Sequence, residues 1–164
     1  TVGGINSTTF PFWRNKFREI PGTGTYTAAT IVNEMNQIWY PLNRGADKPD
    51  LIVATQDLFG LYDNSQQQLQ RYANAELANA GFQTLKYKSA DIIFDDNANF
   101  ATNGERMYFL NTDYLYLVQH KEAQWTMDTE KRPTNQDAVV VPMYWMGNLV
   151  CTNRSLQGVL LDAA

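Results

Sequence analysis

The side chains that could do chemistry are few and scattered. His120 is the only imidazole and Cys151 the only thiol among 164 residues, so this chain alone assembles neither a zinc cluster nor a disulfide. As nucleophile and base, these two pair only by default, and no Gly-x-Ser-x-Gly elbow offers a hydroxyl instead. Cys151 ends the apolar run Leu149-Val150-Cys151 and reads as a small buried hydrophobe. Asp95, Asn97 and Asn99 imitate the opening of a calcium loop. Phe100 then stands where the sharp turn needs glycine, and Arg106 stands where a bidentate Glu must close the shell. Asp95 and Asp96 are neighbours, and neighbours on a strand point to opposite faces, so they share acid–base work only if the backbone turns there. Gly22-Thr23-Gly24-Thr25 lacks the third glycine and the Gly-Lys-Ser/Thr ending of a phosphate cradle and reads as a helix-entry turn. The sequons at Asn6 and Asn153 mean little without a secretory signal. The residues therefore give no catalytic, cofactor-binding or metal-ligating assignment, and the chain reads as a non-enzyme.

The elements that must position these residues are organised around positions 49–96. Leu51-Ile52-Val53-Ala54, entered through Lys48-Pro49-Asp50, reads as a buried strand feeding a helix that Thr55 can cap. Leu58, Leu61, Tyr62, Leu69 and Tyr72 then recur at helical spacing, with Gln66, Gln67, Gln68 and Gln70 on the wet side. After Gly81, positions 82–87 and Ile92-Ile93-Phe94 read as two further strands, the second ending in the Asp95-Asp96 turn. A crossover of this kind lays the first and last strands in one sheet with the helix on its face. Upstream, Ile31, Met35, Ile38 and Trp39 form a stripe on a helix beginning near Thr27 and ended by Pro41, expected on the opposite face of the sheet. Phe10, Phe12, Trp13 and Phe17 crowd into a glycine- and proline-punctuated arm that must lie against this domain or a neighbouring copy. Downstream, Met107-Tyr108-Phe109-Leu110 and Tyr114-Leu115-Tyr116-Leu117-Val118 read as strands around an Asn111-Thr112-Asp113 turn. Positions 119–136 read as a charged connector, and 138–146 as a strand that Pro142 confines to an edge or a bulge, resuming at Leu149 after Gly147-Asn148.

Composition narrows the function further. The length suits one domain with an extension. The net charge of −4 disfavours non-specific binding to nucleic acid. No apolar stretch approaches the length of a membrane span, and Thr1-Val2-Gly3-Gly4 is neither a signal peptide nor a natural start, so the chain reads as a fragment or processed product. Asn and Gln outnumber Asp and Glu, which gives hydrogen-bonding capacity without repulsion between identical subunits. Self-association is the physical inference from this surface and from the aromatic arm and edge strand.

Four phrases, in order, carry a resemblance. Gly3-Gly4-Ile5-Asn6 with Pro11-Phe12-Trp13-Arg14-Asn15, then Pro49-Asp50-Leu51-Ile52-Val53, then Tyr108-Phe109-Leu110-Asn111-Thr112, and finally Trp145-Met146-Gly147-Asn148-Leu149 resemble major capsid proteins of tailed bacteriophages. The likeness covers nearly the whole chain and lies in order and spacing. It implies an α+β fold, a mixed central sheet with helices on both faces forming an axial domain over 21–119. A β-rich peripheral part would then receive 1–20 as an arm and 120–164 as connector and long strands. The family's flexible amino-terminal arm, long hairpin loop and spine helix are not in this sequence, so the resemblance implies a carboxy-terminal part.

The reading that results is a structural coat protein of an icosahedral phage head, located in the virion and, before assembly, in the host cytoplasm. Its partners would be copies of itself in hexamers and pentamers, with portal, scaffold or decoration proteins as further candidates. DNA enters only as enclosed cargo, and no cofactor or membrane is involved. Candidate subunit contacts are Phe12 and Trp13 of the arm; Asp95, Asp96, Asn103, Glu105 and Arg106 of a polar loop facing the capsomer axis; and Pro142 and Trp145 of the peripheral strand. Two rival readings stand beside it: a small hydrolase or transferase with a site near Asp57 and Asp95, and a carbohydrate- or receptor-binding module using exposed Trp and Tyr.

Overall fold

In the computed structural model, which describes residues 3–19, 27–67, 85–95 and 104–162, alternation along short strands sets one buried face. The strands are β1 (Lys16–Glu19), β2 (Leu51–Ala54), β3 (Leu85–Tyr87), β4 (Ala90–Phe94), β5 (Glu105–Leu110), β6 (Leu115–Gln119), β7 (Thr126–Met127), β8 (Met143–Tyr144), β9 (Gly147–Cys151) and β10 (Gly158–Asp162). Six of them form a mixed sheet in the order β1-β10-β5-β2-β4-β3. The β1–β10 and β2–β4 pairs are parallel, as the crossover from β2 requires, and the other three pairs are antiparallel. Ile52 lies opposite both Ile92 and Phe109, and Met107 opposite both Ala54 and Leu160, so these fully buried side chains share one face.

Both helices pack on that face. α1 (Ile31–Leu42) buries Ile31, Met35, Ile38, Trp39 and Leu42, and α2 (Gln56–Gln67) buries Leu58, Phe59 and Tyr62, all in one core with the sheet. Trp39 meets Tyr87 and Phe109 edge-on, the Tyr87 hydroxyl donates to Asn36 Oδ1 at 2.8 Å, and the Tyr62 hydroxyl donates to the Lys86 carbonyl at 2.8 Å. The expectation of helices on opposite faces is therefore corrected for the described residues. Leu51-Ile52-Val53-Ala54 is apolar at every position, yet only Ile52 and Ala54 are buried while Leu51 and Val53 stay half-buried. The helix boundaries also shift. Pro41 sits inside the last turn of α1 and does not end it, since a missing N–H near the carboxy end costs one hydrogen bond only. Thr55 supplies the first carbonyl of α2, accepting from Phe59 N–H at 2.9 Å, but its hydroxyl makes no capping bond. Leu69, Tyr72 and Gly81 lie outside the described residues.

The two sides of the sheet are tied at the end of β5. Buried Asn111 donates its N–H to Gln157 Oε1 at 2.9 Å and accepts from Gln157 Nε2 at 3.1 Å, so one amide side chain closes both backbone groups. Asp50 accepts from the Thr112 N–H at 2.8 Å and also bonds its hydroxyl, joining two of the phrases singled out in the sequence.

The chain divides into two units, Thr1–Thr112 with Asn153–Ala164, and Asp113–Thr152. This differs from boundaries at 20 and 119. β1 joins the six-stranded sheet beside β10, and β10 returns between β1 and β5. Pairing over such sequence separation leaves no local signal. In the second unit, β6 and β9 pair antiparallel from Leu115–Cys151 to Gln119–Gly147, β7 pairs β8, and an isolated bridge joins Lys131 to Val140. Positions 119–136 thus form the outgoing limb of a ribbon, which corrects the reading as a connector. Gly147 and Asn148 lie within β9 and do not interrupt a strand. Between the two ladders the outgoing limb is longer than the return. Its surplus is held by His120 N–H to Met146 O at 2.8 Å and Met146 N–H to Ala123 O at 2.9 Å.

Candidate subunit-contact surfaces

The ribbon has no buried side. In β6 and β9, Leu115, Leu117, Leu149 and Cys151 share one face, and Tyr116, Val118 and Val150 share the other. Leu117 is 58 % and Leu149 65 % exposed, and most exposed large hydrophobics of the described residues lie on this unit. A two-stranded ribbon is marginal alone and needs a further strand or a packed face to be stable. Trp125 and Trp145, 65 % and 41 % exposed, lie with ring centroids 6.2 Å apart and planes tilted by 35°. Trp145 lies across Gly147, where a Cβ would come within 2.5 Å of the indole. Pro142 is half-buried between the Lys131–Val140 bridge and β8, and its carbonyl accepts from Asp128 N–H at 2.9 Å. Without an N–H it cannot extend the ladder, and β8 is accordingly short. Lys131 and Asp128 form an exposed ion pair at 2.6 Å, and the hydrogen bond from Lys131 holds the Asp128 carboxyl below its usual range.

The arm belongs to the first unit. Phe12 is 71 % exposed and meets Phe10 edge-on at 5.9 Å on a short 3-10 turn, Pro11–Trp13. Trp13 is half-buried, with its indole N–H buried and lacking an acceptor among the described residues. Arg154 Nη2 donates to Asn15 Oδ1 at 2.8 Å, which fixes the approach to β1.

Of the predicted polar loop, Asp96 and Asn103 lie outside the described residues. Asp95 is exposed just after β4, and its N–H donates to the Ala54 carbonyl at 3.0 Å. Glu105 and Arg106 open β5 and are strand residues, a correction to their placement in a loop. They project to opposite faces of the sheet, Arg106 on the side away from the helices, where its Nη1 lies 3.4 Å from the Tyr108 hydroxyl. Gly104 precedes them at φ 92°, with a Cβ position 2.3 Å from the Asp162 carbonyl, so the turn into β5 admits only glycine.

Reactive groups are not gathered. Exposed His120 lies just past Gln119, where its Nδ1 accepts from Glu122 N–H at 3.2 Å, while Cys151 sits opposite Leu115 at the other end of the same ladder. No group of three or more His, Cys, Asp or Glu able to hold a metal occurs among the described residues. A shallow hollow of about 660 Å³ beside α2 is lined by Asp57, Phe59, Leu61 and Phe94 together with amide groups, and Asp95 is not part of its lining.

Sequence reasoning picked Trp145 but passed over Tyr116, Leu117, Leu149 and Val150. The signal was there: an unbroken apolar run in each limb means both faces of a ribbon are apolar.

No family model matches the sequence, and no curated protein does. Among solved structures, the chain is similar to one in the capsid of Myoviridae phage XM1, with a TM-score of 0.59 and 7 % identity. The fold is capsid-like. The match covers 92 % of this chain and 53 % of that one, so the chain spans about half the length of its structural neighbour. The α+β class with a mixed sheet and packed helices agrees with the expectation from the sequence.

Proposed function

We propose that the chain is a coat subunit that tiles an icosahedral phage head around packaged DNA by repeated contacts with copies of itself. The observation that carries this reading is the ribbon 113–152, whose two apolar faces the ribbon cannot bury by itself. The capsid-like fold supports it. In this reading the chain is a virion component that passes through the host cytoplasm before assembly. Its partners are its own copies in hexamers and pentamers, alongside portal, scaffold or decoration proteins. The contacts proposed for Phe12, Trp13, Pro142 and Trp145 are apolar, and those for Asp95, Glu105 and Arg106 are charged. The work is mechanical, so no cofactor is assigned.

The test is electron microscopy of the full-length protein expressed alone or with its scaffold. Closed shells are the expected result; a protein that stays monomeric at every concentration overturns the reading. Within shells, Arg106→Glu is expected to weaken capsomer formation, and unchanged assembly removes Arg106 from the contact.

The rival enzyme reading asked for a deep pocket collecting Asp57 and Asp95. The hollow beside α2 is open and takes in only the first of them.

A further inference from the structure

Independently of the coat reading, we propose that Lys88 is a charge-dependent latch, whose ammonium over the rings of Tyr40, Trp39 and Tyr87 keeps the β3–β4 hairpin closed against the last turn of α1. The hairpin needs such a tie. β3 has three residues, it ends the order of the six-stranded sheet, and its pairing with β4 runs only from Leu85–Ile92 to Tyr87–Ala90. A hairpin so short does not hold itself closed in water. The body of β3 is fixed from both helices, by the Tyr87 hydroxyl donating to Asn36 of α1 and by the Tyr62 hydroxyl of α2 donating to the Lys86 carbonyl. At the turn, the link to α1 is the Lys88 ammonium.

The backbone at that turn points to a role for this side chain. Pairing of Tyr87 with Ala90 leaves Lys88 and Ser89 as a two-residue loop, and Lys88 takes φ 54°. Tight hairpin loops require a positive φ that glycine or asparagine adopts at little cost, so a lysine there carries strain that its side chain has to offset. Lys88 Nζ lies 4.3 Å from the Tyr40 ring centroid, 5.2 Å from that of Tyr87 and 5.4 Å from that of Trp39. At these separations the negative face of each ring attracts a cation. No carboxylate among the described residues pairs with Lys88, and Asp91 across the hairpin is already held by Lys86 at 3.0 Å. Trp39 and Tyr87 belong to the core, whereas Tyr40 is 65 % exposed, so the nearest ring serves the ammonium rather than the packing beneath it. Partial loss of water pulls the ammonium below the usual lysine range, and the three rings offset that cost. Without the charge, the stem remains but the attraction is gone, and the turn lifts from α1.

Native-state amide hydrogen exchange of the 164-residue chain tests this, read over residues 85–90 with β5 and β10 as internal reference. Lys88→Met keeps the stem, the Cβ and the backbone strain and removes only the charge. Its exchange over 85–90 should be about fivefold faster, with the reference strands and the melting temperature unchanged. Lys88→Arg should exchange as wild type does, because a guanidinium also sits over ring faces. Tyr40→Leu should speed the same amides, and adding Lys88→Met to it should bring less than about a twofold further change, as expected of two groups that act as one. The inference is overturned by a Met variant protected like wild type, by an Arg variant as fast as the Met variant, or by full additivity in the double variant. Acceleration spread equally over β5 and β10 also overturns it, since Lys88 would then support the whole fold instead of latching one hairpin.

Discussion

Single side chains at the first unit's core carry effects that can be sized. Gln157 closes both backbone groups of buried Asn111, so Gln157→Ala leaves a donor and an acceptor without partners. A loss of about 1–3 kcal/mol is expected in urea unfolding at unchanged m-value. Gly104 is constrained by its positive φ and by the Asp162 carbonyl, and Gly104→Ala should cost at least about 1–3 kcal/mol in the same assay. Tyr62 gives a pH signature. Burial pushes its phenol up to about 12, above its ordinary value of 10.0. The unfolded chain loses this proton near pH 10 while the folded chain keeps it, so stability is intact below pH 10 and falls as pH rises toward 12. Burial raises Tyr87 as well, which steepens the same fall. Thermal melts from pH 9 to 12 should show this decline, and Tyr62→Phe should make it shallower; an unchanged slope would mean another group is responsible.

At the scale of elements, the sequence made legible what is local. The β2–α2 junction, the α1 stripe and the strand at Ile92 follow from apolar spacing, and the structure has each within a few residues of where periodicity puts it. What stayed hidden is non-local. β1 is four residues with charges at Lys16, Arg18 and Glu19, and only its pairing with β10, far along the chain, makes it part of a sheet. The outgoing ribbon limb was equally hidden, because polar residues and a looped-out surplus between Gln119 and Thr126 break the alternation that marks a strand. Of the candidate contacts, the exposed aromatics were legible as unmet burial, while Glu105 and Arg106 were misplaced because their strand begins inside a polar stretch. Packing of α1 on β10 gives an element-scale prediction. A Cβ on Gly158 would lie 2.6 Å from Leu42 Cδ1 and 3.3 Å from Ile38 Cδ1, so Gly158→Val should push the helix off the strand. The expected cost is about 1–3 kcal/mol, read as a lowered melting temperature.

For the whole molecule, what matters is which apolar surface the fold leaves uncovered. Replacing Leu117 and Leu149 with Ser removes a facing pair from one side of the ribbon. Both are exposed, so the melting temperature of the monomer should barely change while assembly falls sharply in light scattering. A loss of folding in parallel with assembly would instead make the pair part of the core. The ribbon also enters and leaves the first unit through one paired base, where Leu115 faces Cys151 and Thr152 N–H donates to the Tyr114 carbonyl at 3.0 Å. Segment 113–152 is therefore an insertion whose two ends are neighbours, and strands β5 and β10 do not depend on it for their pairing. Excising it and bridging Thr112 to Asn153 with a short glycine linker should yield a cooperatively melting miniature, a natural place to graft foreign cargo.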